Sequence, residues 1–364
     1  MCEDTAGYST VVGPRWRIER LIERWRDLRT PQRLRIEQPR IVEFREVDWH
    51  SADRFGDDSP ALAVAHHPPG LGIPVTAQLQ AELMIDPWRH PRSPYDSPEP
   101  WGPQLLWEPG YQFQSTHQGD ATIPDDPFDA AALDQLVRSV QPVRPWRRAR
   151  GHRVAVLDTG VRGSGHDMLD FIKCDDSGIR RTPAADPHGH GTAVATAIKA
   201  VQGNADIYPI RVLNEKKEGE SYEVLAGLMY ALWSDQYDLI NASLTTELSG
   251  RCTTSVGRSI DYTLSYCSVK ANLPVLVAAA GNSGMWTPCG YPARLPQAVV
   301  ALAQDHTGGR AAYNCSPLEE ALTEEAYGGS KSHPLGRLPL SPPADTGLWG
   351  TSFAAAAVSG AYLP

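Results

Sequence analysis

Hydrophobic and polar residues follow two different patterns along the chain, and the change comes near residue 150. Before it, residues 16–29 carry apolar side chains at helical spacing with arginine and glutamate between them, which predicts an amphipathic helix. Residues 40–47 alternate as a strand does, residues 75–84 fit a strand or a helix, and residues 126–140 predict a second helix. Residues 86–126 are rich in Pro, Trp, Ser and Asp and predict irregular chain draped over another surface.

After residue 150, continuous apolar runs alternate with helical patterns. Such runs are typical of strands buried on both faces. Strands are predicted over residues 152–161, 205–213 and 238–244 and from Leu273 to the Ala-Ala-Gly-Asn turn, and helices are predicted after His190 and over 222–234 and 259–271. The alternation predicts an α/β sheet. We therefore expect two domains, an N-terminal extension over residues 1–150, Pro-rich at 87–109, and a second domain over residues 151–364.

Composition narrows the classes of partner. The 364 residues carry a formal net charge of -9, which gives no general attraction to nucleic acid or anionic membranes. Acidic residues follow Met1, and neither an apolar leader nor a membrane-spanning run is visible, so a cytoplasmic protein is expected. The six cysteines lie far apart without zinc spacing, so no metal site is predicted.

Three short segments carry candidate chemistry. Asp158 follows a buried strand, where ligands of open sheets gather, although an aspartate there can equally cap the next helix. His190 lies in Gly-His-Gly-Thr at a predicted helix start. Ser352 lies between Gly-Thr and a run of alanines, where it is either a helix cap or a nucleophile beside free backbone N–H groups.

Taken together, Val-Leu-Asp158-Thr-Gly, Gly-His190-Gly-Thr-Ala-Val-Ala and Gly-Thr-Ser352-Phe-Ala resemble the subtilisin-like serine proteases in residue type and order. The resemblance covers about residues 152–364 and implies a subtilisin-like, mostly parallel sheet flanked by helices, with an N-terminal α+β extension of uncertain fold. It implies Ser352 as nucleophile, His190 as base and Asp158 as its orienting carboxylate. Asn282, in the Ala-Ala-Gly-Asn turn, would be the oxyanion donor. His188 is expected to be a loop residue near the rim.

The same resemblance implies a groove in which a peptide adds as a strand. Its walls and base are expected to be Ser243, Leu244, Thr245, Ala279, Ala280, Gly281 and Gly290. Thr245 and Thr246 stand where relatives usually have glycines, which would narrow one wall. Glu218 and Glu220, expected on a solvated loop, could favour positive charge further along the substrate.

One departure concerns metal. Relatives often carry a calcium-binding loop after the histidine helix, whereas residues 197–206 run almost directly into the next strand. We therefore expect no cofactor, because one Asn and one Asp cannot supply the oxygen ligands that calcium requires.

The function expected from these residues is a serine endopeptidase acting on protein or peptide substrates. The alternative is a catalytically inactive subtilisin-like pseudoprotease that binds peptides, and an α/β esterase ranks last because the serine lacks the Gly-x-Ser-x-Gly setting. Residues 1–150 are either an inhibitory or chaperoning pro-segment, cleaved near Arg147–Arg148, or a permanent domain that recruits a regulatory partner or gates the cleft, and the permanent domain is favoured. No nucleic acid or membrane partner is expected.

Overall fold

The computed structural model describes residues 7–27, 35–42, 60–68, 106–109, 112–115, 123–124, 126–141, 143–144, 147–175, 178–234, 236–246, 273–337 and 347–364. Chain contacts divide them into two compact units, one built mainly from residues before Gln112 and the other mainly from Gln112 onward. The functional division at residue 150 stays a prediction.

The first unit is a helix packed on an antiparallel sheet. Helix α1 (Arg15–Arg24) continues into a 3-10 turn at Trp25–Asp27. The sheet has the order β2-β3-β1-β4, with the strands β1 (Tyr8–Pro14), β2 (Arg40–Ile41), β3 (Pro60–His66) and β4 (Leu106–Pro109). Apolar residues of α1, of the 3-10 turn and of the sheet pack together with Ile36 in one buried cluster, which consists of Val11, Ile18, Leu21, Trp25, Ile36, Ala61, Ala63 and Ala65. This matches the expected α+β character of the N-terminal extension.

The second unit is organised around an eight-stranded sheet in the order β15-β14-β13-β11-β6-β9-β7-β8. Its strands are β6 (Arg153–Asp158), β7 (Met168–Asp175), β8 (Gly178–Thr182), β9 (Asp206–Arg211), β11 (Leu239–Ala242), β13 (Val275–Ala279), β14 (Ala298–Gln304) and β15 (Leu322–Tyr327). The registered pairs from β15 through β7 are parallel, which confirms the α/β, mostly parallel architecture.

Among the described residues, four helices accompany this sheet: α2 (Ala130–Ser139), α3 (His190–Val201), α4 (Ser221–Trp233) and α5 (Thr351–Tyr362). Helix α5 is buried almost all round and packs against α3 and against β13, β14 and β15. Its alanines and Gly360 permit this, since a Cβ added at Gly360 would lie 2.6 Å from Cβ of Val201.

Residues before 150 complete the same core. Leu136 of α2 is fully buried with the apolar residues of α3 and α5, and the Phe128 ring meets that of Phe353 edge to face at 5.6 Å between centroids. Asp129 caps α2 by accepting from Ala131 N at 2.9 Å. The helix predicted over 126–140 is thus present, and it belongs to the unit that contains the large sheet.

Two smaller sheets complete the second unit. One has the order β10-β5-β12, with β5 (Gln112–Ser115), β10 (Glu218–Glu220) and β12 (Leu244–Thr246), and the other pairs β16 (Gly336–Arg337) with β17 (Gly347–Leu348). Strands β4 and β5 correct the expectation of irregular chain over residues 86–126, and β10 corrects the expectation of a loop at Glu218 and Glu220. The predictions for residues 75–84 and 259–271 lie outside the described residues. Among the described helices, none is long and apolar enough to cross a membrane.

Candidate active site

Asp158 and His190 form a buried pair. Asp158 is the last residue of β6, and His190 is the first residue of α3, directly after Gly189 in the left-handed conformation at φ 94°. His190 Nδ1 lies 2.7 Å from Asp158 Oδ1, and both side chains have 0% exposure. Oδ1 also accepts from the Thr159 backbone N–H at 2.8 Å. Because Nδ1 faces the carboxylate, Nε2 is the ring nitrogen that can exchange a proton with a substrate or nucleophile.

Asp186, which the sequence motifs did not single out, supports this pair. Its buried carboxylate accepts from Gly189 N at 2.7 Å, Thr192 N at 2.8 Å, Thr192 Oγ1 at 2.7 Å and Thr159 Oγ1 at 2.8 Å. It thereby satisfies N–H groups at the start of α3 and ties that helix to the residue after Asp158. The sequence did contain one signal for this role, which is an acidic residue four positions before the first residue of the predicted helix.

Ser352 lies in the first turn of α5 and is fully buried. Its Oγ donates to the Ser243 carbonyl oxygen at 3.1 Å, and Ser243 Oγ donates to the Ser352 carbonyl oxygen at 3.0 Å. The next residue, Phe353, has its ring centroid 5.9 Å from that of His190. The structure therefore brings α5 and the histidine helix together at the end where the predicted residues lie.

Asn282 is held by the residue before Ser352. Its Oδ1 accepts from the Thr351 backbone N at 3.0 Å and from Thr351 Oγ1 at 3.1 Å, and Thr351 Oγ1 in turn accepts from Gly281 N at 3.1 Å. A backbone N–H can only donate, so this contact fixes which amide atom is the oxygen. Nδ2 is buried and has no hydrogen-bond partner among the described residues. A buried donor in this state can bind an acceptor supplied from outside the chain.

The predicted groove residues gather around β12. Ser243 and Leu244 are buried, and so are Ala279 and Ala280 at the end of β13. A Cβ on Gly290 would lie 2.5 Å from Thr245 Oγ1 and one on Gly281 would lie 3.7 Å from Thr245 Cγ2, so Thr245 borders both glycines.

Cys315 is a further neighbour of this region that the sequence did not indicate. Its Sγ would lie 2.8 Å from a Cβ on Gly281 and accepts from Ser283 N at 3.4 Å.

His188 differs from its predicted place at the rim, because it is only 2% exposed. Its ring centroid lies 6.4 Å from that of His190. Burial lowers the pKa of His188 to about 3, with His190 and Lys217 acting in the same direction and Asp186 opposing them. His188 is therefore neutral at physiological pH.

The turn after α3 does not fit a calcium loop. Helix α3 ends at Val201 and β9 begins at Asp206, whose Oδ1 is already 2.7 Å from His166 Nε2. Within the described ranges, no group of three His, Cys, Asp or Glu side chains could hold a metal ion. Independence from calcium stays a prediction.

Comparison with known proteins identifies the family of the chain. The chain matches the model of the Subtilase family over residues 149–363, and it belongs to that family. It is 33% identical over 175 residues to the thermostable alkaline protease of Halalkalibacterium halodurans, a match covering 45% of this chain and 44% of that protein. It is 29% identical over 184 residues to subtilisin E of Bacillus subtilis, covering 46% of this chain and 44% of that protein. It is 26% identical over 208 residues to the minor extracellular protease Epr of Bacillus subtilis, covering 54% of this chain and 30% of that protein. The chain thus spans less than half the length of these relatives, and the family and the relatives support a serine protease.

Proposed function

We propose that the chain is a serine endopeptidase that hydrolyses peptide bonds through an acyl-enzyme on Ser352. The observation that carries the proposal is the buried 2.7 Å contact between His190 Nδ1 and Asp158 Oδ1, at the start of a helix that packs against α5. An isolated serine hydroxyl is a poor nucleophile, and this pairing is what a general base for it requires.

In the proposed reaction, Ser352 Oγ attacks the substrate carbonyl carbon while its proton moves to His190 Nε2. Asp158 keeps the ring in the tautomer that accepts this proton and stabilises the imidazolium. His190 then gives the proton to the leaving amine. A water molecule, deprotonated by the same nitrogen, releases the acid product from Ser352.

The developing oxyanion would bind Asn282 Nδ2 and the backbone N–H of Ser352. The support is that Thr351 occupies Asn282 Oδ1 through two hydrogen bonds, which aims the remaining donor without using it. Donors fixed in this way need no reorganisation as charge develops.

A fluorophosphonate probe tests the nucleophile. We expect labelling of the wild-type protein, loss of labelling in Ser352→Ala, and retained labelling in Ser359→Ala, which changes another buried serine of α5. Equal labelling of the wild-type protein and Ser352→Ala would rule out Ser352 as the nucleophile. No labelling of a folded protein in any form would favour the peptide-binding pseudoprotease or a locked zymogen.

The remaining proposals concern substrate, location and metal. We propose protein or peptide substrates, a regulatory partner that binds residues 1–150, a cytoplasmic location and activity without calcium. The calcium proposal is supported by the engagement of Asp206 with His166. It predicts equal rates and equal melting temperature with and without a calcium chelator.

A further inference from the structure

Among the described residues, three large apolar side chains are exposed to solvent, and they lie on two turns that contact each other. Trp286 is 93% exposed, Met285 56% and Leu318 44%. Single exposed apolar side chains are ordinary on a protein surface, whereas apolar side chains that gather at one exposed place mark an interaction site. We call Met285, Trp286 and Leu318 the apolar patch.

Hydrogen bonds fix the two turns of the apolar patch. Residues 284–287 form the first turn, closed by a backbone hydrogen bond of 2.9 Å between its ends, with Met285 and Trp286 at the tip. Ser316 N donates to the carbonyl oxygen of Thr287 at 2.8 Å, and Ser316 Oγ donates to that of Met285. The second turn begins at Leu318, two residues after Ser316. The patch is therefore ordered before a partner arrives, which lowers the entropic cost of binding.

The apolar patch lies close to the candidate oxyanion donor. Trp286 is the fourth residue after Asn282, and four residues span at most about 14 Å between Cα atoms. Gly284, between them, is held in place because its N–H donates to the Tyr313 carbonyl oxygen at 2.8 Å. An extended peptide rises by about 3.3 Å per residue, so a chain bound at the site needs at most four or five residues beyond the cleaved bond to cover this distance.

Acidic side chains border the apolar patch and narrow the choice of partner. Glu319 and Glu320 directly follow Leu318, and both are exposed. They favour a partner that carries Lys or Arg beside apolar residues. Together with the net charge of -9, they disfavour an anionic membrane surface. Three side chains also offer far less than the roughly 800 Å² per partner of a standard interface, which argues against a second copy of this chain.

We propose that the apolar patch is an exosite, a binding surface beside the catalytic residues, for an apolar and basic segment of a protein substrate. This inference rests on the proposed function and adds the substrate class, which is an extended polypeptide rather than a very short peptide. Trp286 is the central contact, since exposed tryptophans on ordered turns supply large contact areas. Because the exosite binds substrate and transition state equally, it lowers KM and leaves kcat almost unchanged.

The test compares a long and a short substrate of the full-length protein. The long substrate is fluorescein-labelled casein, and the short one is a tetrapeptide with two residues on each side of a bond that the protein cleaves in casein. The variants are Trp286→Ser, Trp286→Phe, which keeps an apolar ring, and the double variant Glu319→Gln with Glu320→Gln. Asp134→Asn, which changes an exposed acid of α2, is the control for charge. Melting curves establish that every variant folds.

We expect Trp286→Ser to lower kcat/KM for casein about tenfold through KM, and to change kcat/KM for the tetrapeptide less than about twofold. Trp286→Phe should retain most of the casein rate. The double glutamine variant should lose about threefold at low salt, and Asp134→Asn should lose nothing. An unchanged casein rate in Trp286→Ser, or equal losses for both substrates, would overturn the inference.

Two further measurements examine the other occupants of the apolar patch. Light scattering of full-length Ser352→Ala should give a monomer, and sedimentation with vesicles of phosphatidylserine and phosphatidylcholine should leave it in solution. A dimer that Trp286→Ser abolishes would overturn the inference in favour of a second copy. Vesicle binding that Trp286→Ser abolishes would overturn it in favour of a lipid surface.

The proposed function fails separately, because casein binding to full-length Ser352→Ala requires no turnover. Biolayer interferometry should show about tenfold weaker binding of casein when Trp286→Ser is added. This weakening without fluorophosphonate labelling of the Ser352-intact protein would remove the nucleophile and keep the apolar patch as a polypeptide-binding site. Labelling together with unchanged casein affinity would keep the protease and remove the exosite.

Discussion

Two polar side chains of the site, the buried Asp186 and the partly buried Asn282, are in opposite states. The Asp186 carboxylate accepts four hydrogen bonds from its own chain. The Asn282 amide uses its oxygen twice, while its nitrogen has no partner among the described residues. A satisfied group of this kind stabilises structure, whereas a buried unpaired donor costs stability until an acceptor arrives. The contrast is between a side chain that holds the structure together and one that retains a donor without a partner among the described residues.

The largest effect on the rate is expected at Asp158, the carboxylate that contacts His190. Asp158→Asn should lower kcat by about 10⁴-fold, because the amide no longer selects the tautomer of His190 that accepts a proton. Initial rates of peptide hydrolysis measure this, and circular dichroism checks that the variant folds. A loss smaller than about tenfold would mean that Asp158 only supports structure.

Asn282→Asp tests the unpaired donor with almost no change in side-chain size, and it places a negatively charged carboxylate oxygen where Nδ2 was. It keeps an oxygen for Thr351 and removes Nδ2, so kcat should fall by about 10²–10³-fold with a much smaller change in KM. The matched variant Asn282→Ala also loses both Thr351 contacts and should have a lower melting temperature. A kcat of Asn282→Asp close to that of the wild-type protein would remove Asn282 from the oxyanion site.

Asp186→Asn tests the satisfied side. The amide cannot accept at both of its atoms, so donors at the start of α3 lose their partner, and the free energy of unfolding should fall by about 3 kcal/mol. Asp129→Asn is the matched control, because Asp129 caps the exposed start of α2 with one hydrogen bond and should cost less than about 1 kcal/mol. Urea unfolding measures both. Equal costs would show that the Asp186 network adds nothing beyond an ordinary cap.

His188 gives the smallest effect, and its pH dependence has a definite direction. The unfolded chain takes up a proton near pH 6.5, whereas the folded pKa is about 3, so the unfolded state binds more protons between these values. The contribution of His188 to the free energy of unfolding is therefore at its full value above about pH 6.5. It decreases as the pH falls, by about 2 kcal/mol between pH 7 and pH 5. His188→Phe should reduce this slope in urea unfolding. An unchanged slope would assign the acid sensitivity to other groups.

The sequence predicted the elements in which local pattern and burial agree. The apolar run before Asp158, the glycine-flanked start of α3 and the strand before Asn282 are all present, because each is fixed by period and by a turn residue. The match to the Subtilase family over residues 149–363 confirms the family expected from these motifs.

The features that sequence could not predict depend on distant partners. Strand β5 has a composition that favours irregular chain, and it is a strand because β10 and β12 supply hydrogen bonds on both sides. Little in the local sequence marks Asp186, because its role depends on hydrogen bonds from Thr159 and Thr192, which only the fold brings to it. The burial of His188 likewise depends on chain that folds over it, including Ile123, which no local pattern reports.

The order of the elements along the chain fixes the order in which the strands of the three-stranded sheet β10-β5-β12 are synthesised. The ribosome makes β5 first, then β10 and β12, and the helix that carries Ser352 only afterwards. At usual elongation rates, roughly 10–50 s separate synthesis of Ser115 from that of Ser352. The three strands of this sheet are therefore all present in the nascent chain before the helix that carries Ser352 has been made.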